Sequence, residues 1–322
     1  MLRWRLLLGA LMIAVLVALC WLDHRASVPG AWLLPLAVVA SVLATKEVLD
    51  LAALAGLRPL RWTVYCGTIV LVGSAWLARP EQPCTISLPP SGFVAPQGDA
   101  TAEPSLDEGI PLELAAPSSP REIVILAALG IAVLLVVLGQ MWRYQKPGGN
   151  TANLATGIFA VAYIGLMLCF AVQLRIVWGI GALAAWVIVV KMGDTGAYTV
   201  GRLIGRHKMA PAISPGKTIE GAFGALAFSC FGAWAAFRWL VPALTPETAA
   251  SGPWWGWLVF GLLVGSAGIA GDLAESLLKR DVGVKDSSTW MPGFGGVLDI
   301  LDSLLLSAPV AWFCWAFGLV GR

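Results

Sequence analysis

Three polar clusters interrupt or edge apolar segments in the C-terminal part of this chain, and each sets carboxylates beside lysine or arginine. The densest is Gly271-Asp272-Leu-Ala-Glu275-Ser276-Leu-Leu-Lys279-Arg280. Lys285-Asp286 follows, then Pro292-Gly-Phe-Gly-Gly296-Val-Leu-Asp299-Ile-Leu-Asp302-Ser303. On a helix, Asp272, Glu275, Ser276 and Lys279 fall at i, i+3, i+4 and i+7, which is a single stripe. Asp299, Asp302 and Ser303 make a second stripe at i, i+3 and i+4, with the cations between the two. Facing carboxylates suit Mg²⁺ through hard oxygens, while lysine and arginine suit phosphate oxygens. Such acids left unpaired in a membrane bundle cost roughly 2.5–3.5 kcal/mol each on insertion scales. A purely structural role would require Asp272, Glu275, Asp299 and Asp302 to be satisfied by Lys279, Arg280 and Lys285 alone.

The other two clusters lie upstream. Lys191-Met-Gly-Asp194-Thr-Gly-Ala-Tyr198 runs into Gly201-Arg202, and a continued helix would put Asp194, Tyr198 and Arg202 on one face. The plain alternative is an interfacial carboxylate paired with Lys191 or Arg202. Next come Arg206-His-Lys208 and Ile213-Ser214-Pro-Gly-Lys217-Thr218-Ile-Glu220-Gly. Proline and glycine exclude regular helix here, and Thr218 or Ser214 can cap the span that follows. A helix N-terminus beside lysines is an anion site, although topology alone also calls for basic flanks. Gly216-Lys217-Thr218 is not a P-loop, because Pro211 stands where that motif needs glycine.

The elements that must position these residues are membrane helices. Of 322 residues, 58% are hydrophobic and 12% charged, against about 25% charged in soluble domains. Nine segments approach the length of about 20 apolar residues that a span needs. They are 5–22, 28–45, 61–78, 122–142, 152–174, 176–192, 218–241, 254–275 and 297–319. The first follows Arg3 and Arg5 and is expected to be a signal anchor. Placing the N-terminus inside puts Lys46, Arg58, Arg61, Arg143, Lys146, Arg202, Arg206, Lys208, Lys217, Lys279, Arg280 and Lys285 on the cytoplasmic side. That is the positive-inside pattern. The expected fold is therefore an all-α, polytopic integral membrane helical bundle of about nine transmembrane helices, N-in and C-out.

Residues 1–121 would hold three spans and a flexible external loop, 79–121, rich in Pro, Ser, Ala and acids. Residues 122–322 would form a six-span catalytic bundle. No internal repeat of the transporter kind is present. The scattered cysteines and two histidines exclude a zinc or disulfide framework. With a net charge of +2, any anion site must be local.

The string Ser276-Leu-Leu-Lys279-Arg280-x4-Lys285-Asp286, with Pro292-Gly-x-Gly295-Gly296-x-Leu-Asp299-x-x-Asp302-Ser303, resembles the signature of phosphatidate cytidylyltransferases (CDP-diacylglycerol synthases). Asp194-Thr-Gly-Ala-Tyr198 and Ile213-Ser-Pro-x-Lys217-Thr-x-Glu220-Gly are similar to that family in the same order. Glu47 with Gly56-Leu-Arg-Pro59 is similar to its N-terminal region.

The resemblance implies transfer of CMP from CTP to phosphatidic acid, giving CDP-diacylglycerol and pyrophosphate. Mg²⁺ is implied as cofactor, with a monovalent cation such as K⁺. It implies Asp272 and Asp299 as principal metal ligands, supported by Asp302 and Asp194. Lys217, Lys279, Arg280 and Lys285 would hold the triphosphate and the lipid phosphate. Ser214, Ser276, Asp286, Arg202, Lys208 and Tyr198 complete the expected substrate-binding set, and Asp272, Asp299, Lys279 and Arg280 the expected catalytic one. The partners implied are CTP, phosphatidic acid, the bilayer of the cell (inner) membrane and a second copy of the chain, with no nucleic acid.

Phe294, Ile300 and Gly216 depart from the family's usual His, Arg and Lys. The alternatives are a CTP-dependent polyprenol or phytol kinase, a transporter, and a non-catalytic paralogue. The kinase would want a base to activate its alcohol, whereas a lipid phosphate is already an anionic nucleophile.

Overall fold

The computed structural model describes residues 2–79, 120–246, 252–288 and 295–321. Phe294 and all but the ends of the expected loop 79–121 lie outside the described residues. The chain is nearly all helical. Helices α1 (Leu2–Arg25), α2 (Leu33–Leu54), α3 (Arg61–Leu77), α4 (Pro120–Arg143) and α5 (Asn150–Ala160) come first. A π turn, Val161–Leu166, leads into α6 (Met167–Ile204). Then follow α7 (Ile219–Ala235), the π turn Ala236–Leu240, α8 (Val241–Leu244), α9 (Gly256–Asp281) and α10 (Val297–Ala316).

Among the described residues, five helical stretches are long and apolar enough to cross a membrane: Arg121–Arg143, Asn150–Ile204, Ile219–Leu244, Gly256–Asp281 and Val297–Ala316. Helix α3 is 17 residues long, and α2 carries Lys46, Glu47 and Asp50 in its second half, so neither meets both conditions. The 55-residue run from Asn150 would measure roughly 80 Å if straight, against a hydrocarbon core of about 30 Å. It breaks at Gly179, whose φ of +85° no residue with a side chain adopts readily. The kink falls just inside the expected segment 176–192, four residues past its gap from 152–174. The second arm runs on to Ile204, twelve residues past the expected end at 192, and so makes Asp194, Tyr198 and Arg202 helical.

Two apolar clusters form the core. One joins Ala44, Leu49, Val64, Leu71, Val136 and Ile164 to Leu298 and Leu305. The other joins Trp186, Val189, Phe260 and Val264 to Ala308 and Trp315. Both draw on α10, and Leu301 packs against each. Helices α6 and α7 cross closely through small residues, as membrane helices do where backbones touch. A Cβ on Gly196 would strike the Gly224 carbonyl. Just before the Gly179 kink of α6, Arg175 Nε lies 2.5 Å from Asp23 Oδ2, both residues buried, and Asp23 also accepts the Gly30 and Trp32 amides.

The bundle departs from an all-α expectation in a short hairpin. Strands β1 (Lys208–Ala210) and β2 (Ser214–Thr218) form an antiparallel hairpin pairing Lys208 with Thr218 and Ala210 with Ser214. Apart from Thr218 these strands lack β-branched and aromatic residues, and Pro215 lies within β2, so no strand signal precedes them.

Candidate active site

The hairpin delivers the polar cluster between α6 and α7. Thr218 is the N-cap of α7, its Oγ1 accepting the Gly221 amide at 3.1 Å, while Ser214 sits on the strand. Glu220 accepts the Arg206 and His207 amides and lies 2.6 Å from His207 Nδ1, which fixes the hairpin base. Lys217 then projects from β2 toward α9, where its Nζ lies 2.8 Å from Asp272 Oδ2.

Helix α6 contributes Asp194. Its Oδ2 accepts from Lys191 Nζ at 2.9 Å and its Oδ1 from Ser303 Oγ at 3.0 Å. Lys191 also donates to the Ile300 carbonyl at 3.3 Å. The plain alternative for Asp194, a pair with Lys191, is therefore what the geometry contains. Arg202 instead donates to Tyr198 Oη at 2.6 Å.

The start of α10 is built on carboxylates. Asp299 Oδ2 accepts the Gly296 amide at 2.7 Å, the Ser287 amide at 3.0 Å and Ser287 Oγ at 2.6 Å. Its Oδ1 lies 2.6 Å from Lys279 Nζ, which is also 2.5 Å from Glu275 Oε2 on α9. Glu47, from α2, accepts the Val297 amide at 3.0 Å, the Leu298 amide at 2.8 Å and Ser287 Oγ at 2.9 Å. An α-helix opens with unpaired N–H groups and a partial positive charge, so two acids here satisfy both. Asp302, one turn on, accepts the Ser303 amide at 2.5 Å and has no ion pair among the described residues.

These elements enclose a cavity of about 590 Å³ between α6, α7, α9 and α10. Asp194, Asp272, Asp299, Asp302, Lys191 and Lys217 line it, together with Tyr198 and Arg202. Gly216 lines it as well, and a side chain at that position would meet only open space. The structure thus gathers the four expected metal ligands around one cavity. Lys208, Ser214, Ser276, Lys279, Arg280, Lys285 and Asp286 are not among its lining residues. Arg280 instead donates to the carbonyls of Ile213 and Val284, tying the hairpin to the end of α9. Glu47 and Ser287 were missing from the expected site. For Glu47 the signal was its place in a largely apolar helix, where a carboxylate that turns inward demands a partner; Ser287 offered none.

Mg²⁺ usually takes one or two protein carboxylates and completes its shell with phosphate oxygens and water. Among the described residues no three His, Cys, Asp or Glu side chains gather as a ready metal cage. The donor set nonetheless fits a nucleotide-bound ion. Asp302 brings a carboxylate with no ion-pair partner among the described residues, and Asp272 brings one paired with the Lys217 ammonium.

Residues 112–317 match the model of the cytidylyltransferase family. A phosphatidate cytidylyltransferase of Mycobacterium leprae (strain TN) is 31% identical over 272 residues, 79% of each chain. A phosphatidate cytidylyltransferase of Staphylococcus epidermidis (strain ATCC 12228 / FDA PCI 1200) is 37% identical over 154 residues, 48% of this chain and 55% of the relative. The uncharacterized protein YnbB of Escherichia coli (strain K12) is 41% identical over 120 residues, 37% of each chain. In these last two matches the chain spans about half or less of the relative's length.

Proposed function

Since the chain belongs to the cytidylyltransferase family, we propose that it transfers CMP from CTP to phosphatidic acid, releasing pyrophosphate and forming CDP-diacylglycerol. The observation that carries this is the composition of the cavity, four carboxylates and two lysines with no histidine or cysteine among the described residues of its lining. An alcohol kinase would have to use one of these aspartates as a base to activate its acceptor hydroxyl. Joining two phosphates wants positioning and charge compensation.

A non-bridging oxygen of the lipid phosphate attacks the α-phosphorus of CTP, and the bond from that phosphorus to the α,β-bridging oxygen breaks in line. Pyrophosphate leaves with the electron pair. The lipid phosphate is already ionised, so no side chain has to remove a proton. Lys217 leaves Asp272 to hold phosphate oxygens, and Lys191 and Arg202 add cationic charge at the cavity wall. Asp272 and Asp302 would hold Mg²⁺, with Asp194 in support; Asp299 would join only by releasing Lys279. When bound, the ion neutralises charge on the phosphates and on the departing pyrophosphate. A monovalent cation such as K⁺ belongs to the same proposal.

The basic residues that flank the spans support a cytoplasmic site, nine crossings with N-in and C-out topology, and residence in the inner membrane. A homodimer completes the proposal. The test is purified protein in detergent with labelled CTP, Mg²⁺ and phosphatidic acid. CDP-diacylglycerol should form, and Asp272→Asn should lower its rate by about 10²–10³-fold. Release of CDP in place of pyrophosphate would assign a lipid kinase, and no nucleotide turnover would leave the transporter or the paralogue.

A further inference from the structure

A second cavity, of about 490 Å³, lies apart from the first and is lined by Arg58, Arg61, Arg143 and Trp62 together with apolar residues of α2 and its link to α3. The three arginines come from the α2–α3 link, the first turn of α3 and the end of α4. Their convergence is built. The Arg58 amide donates to Asn153 Oδ1 at 2.7 Å, and Arg143 Nη1 donates to the Arg58 carbonyl at 3.1 Å, so α5 and α4 clamp the link from two sides. Arg61 lies 2.7 Å from Asp50 Oδ1, and neither Arg58 nor Arg143 has an ion pair among the described residues. One carboxylate against three guanidinium groups leaves two positive charges in a small space, an arrangement that like-charge repulsion opposes until an anion enters.

The depth of the cavity says which anion. Arg143 ends the apolar stretch Arg121–Arg143, so it stands at the edge of the hydrocarbon. Trp62 and Trp142 are 75% and 91% exposed beside it, as tryptophan is at the headgroup level of a bilayer. Guanidinium groups match phosphate oxygens in a planar, two-pronged way, and basic pockets between membrane helices take lipid headgroups. Positive flanks alone need only charge near a span, not three arginines lining one cavity with the Arg143 side chain tied to the Arg58 backbone.

The geometry points to a binding site for the phosphate of an anionic glycerophospholipid, held by Arg58, Arg61 and Arg143 and separate from the substrate cavity. The inference is independent of the activity proposed above, because its readout is binding. The full chain in detergent would be given dioleoylphosphatidylglycerol or dioleoylphosphatidylcholine, with retained lipid counted by native mass spectrometry. Phosphatidylglycerol should be held in preference, and Arg58→Gln with Arg143→Gln should weaken it roughly tenfold or more. Arg58→Gln alone keeps the clamp on the link, so it serves if the double variant does not fold, and it should still weaken binding severalfold. Equal retention of the two lipids by the unaltered protein would overturn the site, as would undiminished phosphatidylglycerol binding by folded Arg58→Gln. Inorganic phosphate binding as tightly as the lipid would assign the cavity to a soluble anion and overturn the lipid assignment.

Discussion

Lys217 of β2 and Asp272 of α9 meet at 2.8 Å across the cavity wall, and both are partly accessible from within it. An ion pair in that position holds the cation and the carboxylate in reserve, each ready for a partner of its own. Phosphate would take the lysine, and a metal would take the acid.

Asp272→Asn should therefore lower the rate of CDP-diacylglycerol formation by about 10²–10³-fold, the scale of losing one preorganised electrostatic group. Lys217→Ala should act chiefly on the KM for CTP. Labelled-CTP assays at saturating and limiting nucleotide separate the two effects. Near-normal turnover in Asp272→Asn would remove this residue from the site.

Asp302→Asn should raise the Mg²⁺ concentration for half-maximal activity by roughly tenfold or more, because fewer charged ligands weaken a hard-ion site. Excess EDTA should abolish turnover in the unaltered protein and added Mg²⁺ should restore it. A magnesium titration in which Asp302→Asn overlays the parent would show that the ion sits elsewhere.

Glu47→Gln should destabilise the protein by about 1–3 kcal/mol, the usual consequence of weakening charge-assisted hydrogen bonds at a buried acceptor. The observation behind it is the pair of α10 amides that Glu47 accepts, at 3.0 and 2.8 Å. Thermal denaturation in detergent measures it, and a Tm unchanged even in Glu47→Ala would discount the cap.

Gly271→Ala should cost about 1–3 kcal/mol by overpacking, since its Cβ would strike the backbone carbonyl of Asp302 and push α9 away from α10. The same displacement should reduce activity more than stability alone accounts for, because Asp272 and Asp302 ride on those two helices. Comparing residual activity with the fraction folded at one temperature checks this.

Arg175→Met should cost about 3–5 kcal/mol, because it leaves Asp23 charged and buried without its cation. Restoring stability with a second change, Asp23→Asn, would confirm that charge, not packing, is responsible.

The helices and the acidic residues were legible in the sequence because both depend on local rules, hydropathy for one and spacing along a helix for the other. Asp272 and Lys279 do share a helix, and Lys279 does reach the second stripe at Asp299. What spacing could not supply is which face of a stripe meets which neighbour. Asp272 turns to the cavity, whereas Glu275, three residues on, is fully buried against Lys279. Arg280, expected to hold phosphate, gives two of its five N–H donors to backbone carbonyls, a tie that spacing could not foretell. The hairpin gave no warning, since the carbonyl of His207 and the side chain of Glu220 determine its base more than strand propensity does. Glu47 was hidden by distance along the chain.

That distance has a consequence for how the protein is made. Glu47 stands 250 residues ahead of Val297, whose amide it accepts. Synthesis runs from the N-terminus, so α2 is in place long before its acceptor has anything to receive. The turn that carries Asp299 and Asp302 opens α10, the last of the described helices, and can be tied down only when α10 packs beside α2. A half-inserted chain would thus carry its hairpin and its α9 carboxylates without a closed floor beneath them, and competence would arrive in a single late step of biogenesis. Pulse-labelled chains arrested before α10 should be membrane-bound and inert.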